Sequence, residues 1–256
     1  MKIHCIAFSQ PGPTKIRNED CVLIAGHIQQ GAIRDEQVIQ YQGNGTMAFA
    51  VADGMAGSPF PHRGSHLLLE ILDESFNINS SLHESFRNRM QSVQDTLVAR
   101  ARRGKCHGSA ATLAGVALSG DQLQVFNVGD SRVYGVAKDT ADRLSCDHTE
   151  LADMIKNGEI QPMAVKDAPS SFLEPSSFFM ADAMHAVGSI TSKTIPLTHF
   201  SSLLICTDGL VDVIDDDEIA AANLDSMKDI EKLVKLGRSR KGLDDISVLL
   251  LHINSP

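Results

Sequence analysis

The chain has 256 residues, of which 43% are apolar and 21% are charged, as is ordinary for a globular protein. This composition excludes a disordered chain, a collagen and a coiled coil. The 32 acidic residues outnumber the 23 basic ones, so the formal net charge is −9 and a general role in nucleic-acid binding is not expected. Because no apolar run is long enough to span a membrane and the first apolar stretch is too short for an export signal, a cytoplasmic protein is expected.

The cysteines are odd in number and widely scattered, and no two of them form a C-x-x-C pair. They are Cys5, Cys21, Cys106, Cys146 and Cys206. This pattern favours reduced, mostly buried thiols over disulfides or a metal site.

The first half of the chain predicts strands and then a pair of helices. Strands are expected over residues 3–8, 21–25, 38–41 and 47–52. Gly43-Asn44-Gly45 suits a tight hairpin turn between the last two. Apolar residues spaced by three to five then indicate helices over residues 62–76 and 81–103, with Gly104 as a C-terminal stop.

The second half returns to strands. Residues 110–118, 122–128 and 132–137, separated by short turns, predict an antiparallel meander. A helix is expected over residues 149–157, an irregular region over 160–200, a buried strand over 203–206, helices over 217–222 and 225–236, and a closing strand over 246–253. Because no repeat or linker interrupts the chain, we expect one α+β domain of packed layers over residues 1–256.

Acidic residues recur at the ends of the predicted strands. Asp20 precedes the second strand, Asp53 and Asp208 end apolar strands, Asp130 follows residues 122–128 in a turn, and Asp244 and Asp245 precede the closing strand. If these acids converge, they repel one another unless hard cations lie between them. Oxygen ligands suit Mg²⁺ or Mn²⁺ better than Zn²⁺, and Gly54 can offer a backbone carbonyl without a side chain in the way.

These acids belong to segments that carry a family resemblance. The segments, in chain order, are Asn18-Glu19-Asp20, Val51-Ala52-Asp53-Gly54-Met55-Ala56-Gly57, Gly108-Ser109-Ala110-Ala111-Thr112, Asn127-Val128-Gly129-Asp130-Ser131-Arg132-Val133-Tyr134, Leu144-Ser145-Cys146-Asp147-His148-Thr149, Leu204-Ile205-Cys206-Thr207-Asp208-Gly209-Leu210 and Asp244-Asp245-Ile246-Ser247-Val248-Leu249-Leu250. With these segments the chain resembles the metal-dependent protein Ser/Thr phosphatases of the PP2C (PPM) family, in their compact bacterial form.

The resemblance implies an αββα sandwich in which two central antiparallel sheets are flanked by helices. It also implies a centre of two Mn²⁺ or Mg²⁺ ions. By this analogy Asp53 bridges both ions, Asp208 and Asp244 complete the shell of one, and Glu19 and the carbonyl of Gly54 serve the other.

The same resemblance assigns Asp20 to a metal-bound water and Asp130 to a third, weaker ion. It implies hydrolysis of phosphoserine and phosphothreonine on proteins by a hydroxide that bridges the two ions, without a phosphoenzyme. The expected partners are phosphorylated proteins, targets of a Ser/Thr kinase, and the expected oligomeric state is a monomer.

The chain departs from the family pattern at several positions. Lys15 stands where the family usually has a phosphate-binding Arg, so Lys15 is expected to contact the phosphate, with Arg17 as its substitute. Asp245 stands where the family usually has Asn, and it either tightens metal binding or points outward. Met55 replaces a candidate general-acid His of eukaryotic members, and residues 150–200, where the family carries its substrate flap, match poorly.

Two other functions compete with this interpretation. The first is a catalytically weak or inactive relative that acts as a regulatory or binding module. The acids at Asp53, Asp208 and Asp244 argue against it, because inactive relatives typically lose metal ligands. The second is a serine hydrolase with Ser131 as nucleophile, which the following Arg132-Val133 does not favour, because a nucleophile elbow needs glycine two residues after the serine.

Overall fold

Two antiparallel six-stranded sheets form the centre of the protein. The computed structural model describes residues 1–78, 85–240 and 242–254. The strands are β1 (Lys2–Gln10), β2 (Cys21–Ile24), β3 (His27–Gln30), β4 (Ile33–Gln40), β5 (Thr46–Ala52), β6 (Ala110–Ala111), β7 (Leu113–Ser119), β8 (Gln122–Val128), β9 (Arg132–Ala137), β10 (Thr140–Arg143), β11 (Phe179–Met180), β12 (Thr191–Pro196), β13 (Ser202–Cys206) and β14 (Ile246–Asn254). One sheet has the order β10-β9-β13-β14-β1-β4 and the other β12-β8-β7-β5-β2-β3.

The central strands are apolar on both faces because each sheet is covered twice. Along β1, Ile3, Cys5 and Ala7 pack into the layer between the two sheets. The alternate residues Ile6 and Phe8 face the helices on the outside of the first sheet. Successive side chains of a strand point to opposite faces of the sheet, and here both faces are buried. The central strands are therefore continuous apolar runs in the sequence.

Helices cover the outer face of each sheet. They are α1 (Pro61–Ile78), α2 (Phe86–Gly104), α3 (Glu150–Lys156), α4 (Asp208–Val211), α5 (Asp216–Ala221) and α6 (Met227–Ser239). Apolar residues of α1 and α2 pack on the second sheet, and those of α4 and α6, with Ile219 of α5, pack on the first. The expected αββα sandwich is therefore confirmed.

The predicted hairpin around Gly43-Asn44-Gly45 is wrong. Strand β4 pairs with β1 in the first sheet, whereas β5 pairs with β2 and β7 in the second. The backbone N–H of Tyr41 donates to the carbonyl of Met1 at 3.0 Å, so the chain stays with the first sheet until just before the glycines. The glycine-rich segment links two sheets instead of two neighbouring strands.

The predicted meander is right only for its first two strands. Strands β7 and β8 form a hairpin, but β9 pairs with β13 and β10 in the other sheet. The chain crosses between the sheets at Gly129-Asp130-Ser131, where Gly129 has a φ of 106° that a side chain would disfavour. This crossing places Asp130 at the edge where the two sheets meet.

Several smaller expectations are corrected by the structure. The region 160–200 is not wholly irregular, because β12 extends the second sheet by pairing with β8. Helix α2 begins at Phe86, and the part of the predicted helix at residues 81–84 lies outside the described residues. Gly104 is the last helical residue and Lys105 takes the left-handed conformation after it, with a φ of 55°. The structure adds β3, β10, β11 and α4, which the sequence did not predict.

All five cysteines are free thiols, and only Cys146 is exposed, as expected for reduced cysteines. Within the described residues, no helix combines the length and the apolar character needed to cross a bilayer.

Candidate functional site

The predicted acids lie at one end of each sheet. The strand residues that adjoin these acids are paired with one another. In the second sheet Cys21 pairs with Ala52, and in the first sheet Cys206 pairs with both Arg132 and Val248. Around these pairs stand Asp20 before β2, Asp53 after β5, Asp130 before β9, Asp208 after β13 and Asp244 before β14. Strand register therefore gathers acids that are far apart along the chain.

Contacts between the sheets bring three of the acids together. Thr207, at the end of β13, donates its hydroxyl hydrogen to Asp20 Oδ2 at 2.9 Å. The carboxyl group of Asp53 lies beside those of both Asp20 and Asp208. Asp20 is 1% exposed and Asp53 is 7% exposed, so this cluster is buried.

Burial and mutual repulsion raise the pKa values of these carboxyl groups. Burial first, and then the charge of Asp20, raises the pKa of Asp53 well above its usual value. Burial and the neighbouring Asp245 raise the pKa of Asp20 to about 7. Burial and the charge of Asp53 likewise raise the pKa of Asp208. Full ionisation of this cluster therefore requires a cation close by.

Three buried carboxylate oxygens accept no hydrogen bond from any described residue. They are Asp20 Oδ1, Asp130 Oδ1 and Asp208 Oδ1. Buried polar atoms are normally paired, so such oxygens indicate a ligand, and their chemistry suits a hard divalent cation. In the described part of the chain, however, no three His, Cys, Asp or Glu side chains already surround a point as a metal site does.

The ammonium group of Lys15 lies among the acids at the mouth of this cluster. It contacts Glu19 Oε2 at 2.8 Å and Asp245 Oδ2 at 3.2 Å, and it also contacts Asp244 Oδ1. Burial alone would lower the pKa of Lys15, but the bonds to Asp244 and Glu19 outweigh burial and raise it. Lys15 is therefore a cation held between two of the predicted metal ligands.

Asp245 points into the protein, which decides between the two orientations left open by the sequence. Its Oδ1 accepts the N–H of Gly12 at 2.8 Å, and its Oδ2 accepts the N–H of Glu19 at 2.7 Å. The side chain also bonds to Lys15. Asp245 thus fastens the loop that carries Lys15 and Glu19 to the start of β14, beside Asp244.

Arg238 supports the same junction from the end of α6. Its Nη1 donates to the carbonyl oxygens of Gly242 at 2.8 Å and Asp244 at 2.7 Å. Its Nη2 donates to the carbonyl of Pro11 at 3.3 Å. Arg238 was not predictable from the sequence, because nothing in the local pattern links α6 to a loop near the N-terminus.

Gly54 fits only because it lacks a side chain. A Cβ there would lie 2.6 Å from the carbonyl oxygen of Pro61 and 2.7 Å from that of Glu19. Its N–H donates to the Glu19 carbonyl at 3.2 Å, and Ser65 Oγ donates to the same oxygen at 2.5 Å. The backbone of the acidic loop is therefore packed directly against the start of α1.

The turn that carries Asp130 is fixed by His148. The ring Nδ1 of His148 accepts a hydrogen bond from the backbone N–H of Gly129 at 3.0 Å, and the backbone N–H of His148 donates to the Gly129 carbonyl at 2.9 Å. The ring Nε2 lies 3.0 Å from Thr191 Oγ1. Burial lowers the pKa of His148, whose ring is therefore neutral and donates from Nε2 to Thr191. Its role is to hold the turn.

This neutral His148 is expected to make the fold sensitive to acid. Because its pKa is depressed in the folded state, its stabilising contribution is present above the unfolded value of about 6.5 and is lost as the pH falls further. Urea unfolding should therefore show that the stability gap between the wild type and His148→Gln shrinks between pH 7.5 and 5.5, by no more than about 1.4 kcal/mol, the free energy of one pH unit below the unfolded pKa. A gap that is equal at both pH values would contradict this role.

Asp212 joins the cluster although the sequence analysis did not single it out. It lies one helical turn after Asp208, and its charge helps to raise the pKa values of Asp208 and Asp130, in both of which burial is the larger cause. Burial raises the pKa of Asp212 itself to about 6. The i,i+4 spacing after Asp208 was the available signal, but it depends on knowing that a helix begins there.

Arg17 does not join the acids. Its Nη1 lies 3.4 Å from His62 Nε2, at the exposed edge of the site. Ser131 is buried, and its hydroxyl is bonded to Thr112 Oγ1 at 2.8 Å, which gives it no access to a substrate as a nucleophile. The serine-hydrolase alternative has no support in this geometry.

Comparisons with known proteins identify the family and the fold. The protein phosphatase 2C family model matches residues 25–245. The serine/threonine phosphatase stp of Listeria welshimeri is 26% identical over 218 residues, covering 80% of this chain and 83% of that protein. The crystal structure of the serine/threonine phosphatase Stp1 from Staphylococcus aureus has a TM-score of 0.78 at 20% identity, covering 98% of this chain and 95% of that one.

A third match contains metal. The catalytic domain of the serine threonine protein phosphatase PstP, in complex with 2 manganese ions, has a TM-score of 0.68 at 18% identity, covering 99% of this chain and 100% of that one. At these identities the two structures show a common fold. The family match extends over most of the sequence, and the chain therefore belongs to the protein phosphatase 2C family.

Proposed function

We infer that the chain is a protein serine/threonine phosphatase that hydrolyses phosphoserine and phosphothreonine in proteins. The family match and the similarity to phosphatases of this name support the activity. The observation that carries the inference is the buried cluster of Asp20, Asp53 and Asp208, in which one oxygen of Asp20 and one of Asp208 have no hydrogen-bond partner among the described residues. Nothing in the site favours the inactive alternative. Its substrates would be proteins phosphorylated by a Ser/Thr kinase, and we propose that it acts as a monomer.

We propose that two Mn²⁺ or Mg²⁺ ions bind among these acids. Asp53 would contact both ions, Asp208 and Asp244 would hold one, and Glu19 and the Gly54 carbonyl would hold the other. The all-oxygen donor set and the two manganese ions of the PstP domain support this assignment. Such ions, when bound, supply a water acidified to near-neutral pKa and offset negative charge on phosphoryl oxygens.

The protein side chains around these ions have separate tasks. Asp20, fixed by Thr207, would orient a water molecule beside the ions through its unpartnered Oδ1. Asp130, aimed by the turn that His148 holds, would bind a third ion together with Asp212. No protein nucleophile is needed for this reaction, so no phosphoenzyme is expected.

Lys15 is the proposed phosphate contact. Its ammonium group already lies between Glu19 and Asp244, so a phosphoryl group bound beside these residues would meet it. An ammonium group has three N–H donors, and all three are in use here. An arriving phosphate would therefore replace one of the carboxylate contacts. Arg17 lies further out, beside His62.

The direct test is hydrolysis of a phosphothreonine peptide with Mn²⁺ and with EDTA. We expect phosphate release with Mn²⁺ and a loss of more than about 100-fold when EDTA removes it, because the acids alone supply no cation for the phosphoryl charge. Activity should return when excess Mn²⁺ is added back. Undiminished hydrolysis in EDTA would contradict the metal assignment, and no hydrolysis with Mn²⁺ would favour the inactive alternative.

A further inference from the structure

A cationic surface borders the acid cluster at the start of α1. We call it the cationic rim and define it as Arg17, Phe60, His62 and Arg63. Arg17 Nη1 lies 3.4 Å from His62 Nε2, and the Arg63 guanidinium carbon lies 5.2 Å from the centre of the Phe60 ring. The four side chains come from two loops and the first turn of a helix.

Backbone contacts fix this rim next to the proposed catalytic acids. The carbonyl of Pro61 lies so close to Gly54 that a Cβ there would be 2.6 Å away. Gln30 Nε2 donates to the carbonyl of His62 at 2.7 Å, and Ser65 Oγ donates to that of Glu19 at 2.5 Å. A peptide whose phosphorylated residue reaches the acids must therefore pass beside the rim.

The two arginines of the rim are exposed to solvent. Neither Arg17 nor Arg63 forms an ion pair with any described residue. Burial, followed by the charges of these two arginines, lowers the pKa of His62. The charge of Glu19 would raise the pKa of His62, but Glu19 is already bonded to Lys15. Other arginines, such as Arg102 and Arg103 at the end of α2, also lack an acidic partner among the described residues, but Arg17 and Arg63 lie beside the acid cluster.

Phe60 is held in an unfavourable backbone conformation with its ring in solvent. Its φ is 53°, a left-handed value that bulky residues rarely adopt, and the side chain is 52% exposed. Its carbonyl accepts the N–H groups of Arg63 at 2.9 Å and Gly64 at 3.2 Å, which begins α1. Glycine would serve that backbone role with less strain. The exposed ring, in contrast, supports the Arg63 guanidinium by cation–π stacking.

We propose that the cationic rim binds acidic side chains that flank the phosphorylated residue of the substrate. Arg17 and Arg63 would pair with aspartate or glutamate carboxylates, and Phe60 would hold Arg63 in position while contacting the substrate chain. Guanidinium groups suit this task because they bind carboxylates through two parallel N–H donors. The proposal rests on the proposed phosphatase function and narrows its substrates to acidic phosphorylated segments.

The test compares two ten-residue phosphothreonine peptides that differ only in having Asp or Asn on both sides of the phosphothreonine. With Mn²⁺ at low ionic strength, the wild type should show kcat/KM about fivefold higher on the Asp peptide, the size expected for one or two exposed ion pairs. Arg63→Gln and Phe60→Gly should bring this ratio close to one. High salt should do the same in the wild type.

Lys138→Gln is the matched control, because it removes one exposed positive charge at the far end of β9 from Asp130, about 20 Å along the strand. It should keep the wild-type ratio. Thermal melting checks that each variant is folded, and glycine at position 60 accommodates the left-handed backbone. Because the readout is a ratio, a general loss of rate does not imitate the expected result.

Equal kcat/KM on the two peptides in the wild type would overturn the proposal, as would an undiminished preference in Arg63→Gln. Hydrolysis of p-nitrophenyl phosphate by the wild type tests the phosphatase function separately. A wild type that is active on p-nitrophenyl phosphate but has equal kcat/KM on the Asp and Asn peptides would refute only the proposed role of the cationic rim. A wild type inactive on all three substrates would refute both the rim and the proposed function.

Discussion

Replacing Asp53 by asparagine should lower Mn²⁺-dependent phosphatase activity by more than about 100-fold and raise the melting temperature measured in EDTA. The activity falls because Asp53 is the proposed ligand of both ions, and even outer-shell partners of a metal cost about 10- to 100-fold. The stability rises because the variant removes a buried carboxylate that repels Asp20 and Asp208. Opposite effects on activity and stability distinguish this result from simple misfolding.

Peptide hydrolysis and thermal melting in EDTA supply the two readouts for Asp53→Asn. Asp142→Asn is a matched control, because Asp142 is an exposed aspartate on β10 whose loss changes the net charge by the same amount. It should leave activity unchanged and alter stability by no more than about 0.5 kcal/mol. Full activity in Asp53→Asn, or a melting temperature well below that of the wild type in EDTA, would contradict the account.

Replacing Asp245 by alanine should destabilise the fold by about 3 kcal/mol, which lowers the melting temperature by about 6 to 12 °C in a chain of this size. The variant leaves the N–H groups of Gly12 and Glu19 without an acceptor and removes one partner of Lys15. It also relieves repulsion of Asp20, but three lost hydrogen bonds outweigh one like-charge contact.

The same variant should weaken Mn²⁺ binding by about 10- to 100-fold, because the loop that carries Glu19 is no longer fastened to the start of β14. Asp245→Asn keeps one acceptor oxygen and should lie between the wild type and the alanine variant in both measurements. Melting curves and Mn²⁺ titrations of the three proteins provide the series. An alanine variant with wild-type stability and affinity would show that Asp245 does not position this loop.

The sequence predicted most strands because burial on two faces leaves a local pattern. In β5, Phe49 and Val51 face the layer between the sheets, while Ala48, Ala50 and Ala52 face α1 and α2. Such a run indicates a buried strand but does not indicate its neighbours. The pairing of β4 with β1, and of β9 with β13, depends on long-range packing, so local glycines suggested hairpins that do not form.

In the candidate site, too, some features could be predicted from the local sequence and others depended on long-range packing. Asp53 and Asp208 were found because each follows an apolar strand, a feature visible in the sequence. The orientation of Asp245 was not predictable, since its partners Gly12 and Glu19 lie 233 and 226 residues away along the chain. Arg238 was missed for the same reason, because it reaches Pro11 from 227 residues away. Acids that follow apolar strands were predictable from the sequence, whereas the residues that position them could be identified only from the fold.

Calorimetric titration of the wild-type chain with Mn²⁺ at pH 7.5 tests the central claim most directly. If Asp53, Asp208 and Asp244 gather to hold a pair of divalent ions, the titration should show at least two Mn²⁺ ions bound per chain, and fewer in Asp53→Asn. A wild-type chain that is folded and takes up no Mn²⁺ would contradict the claim.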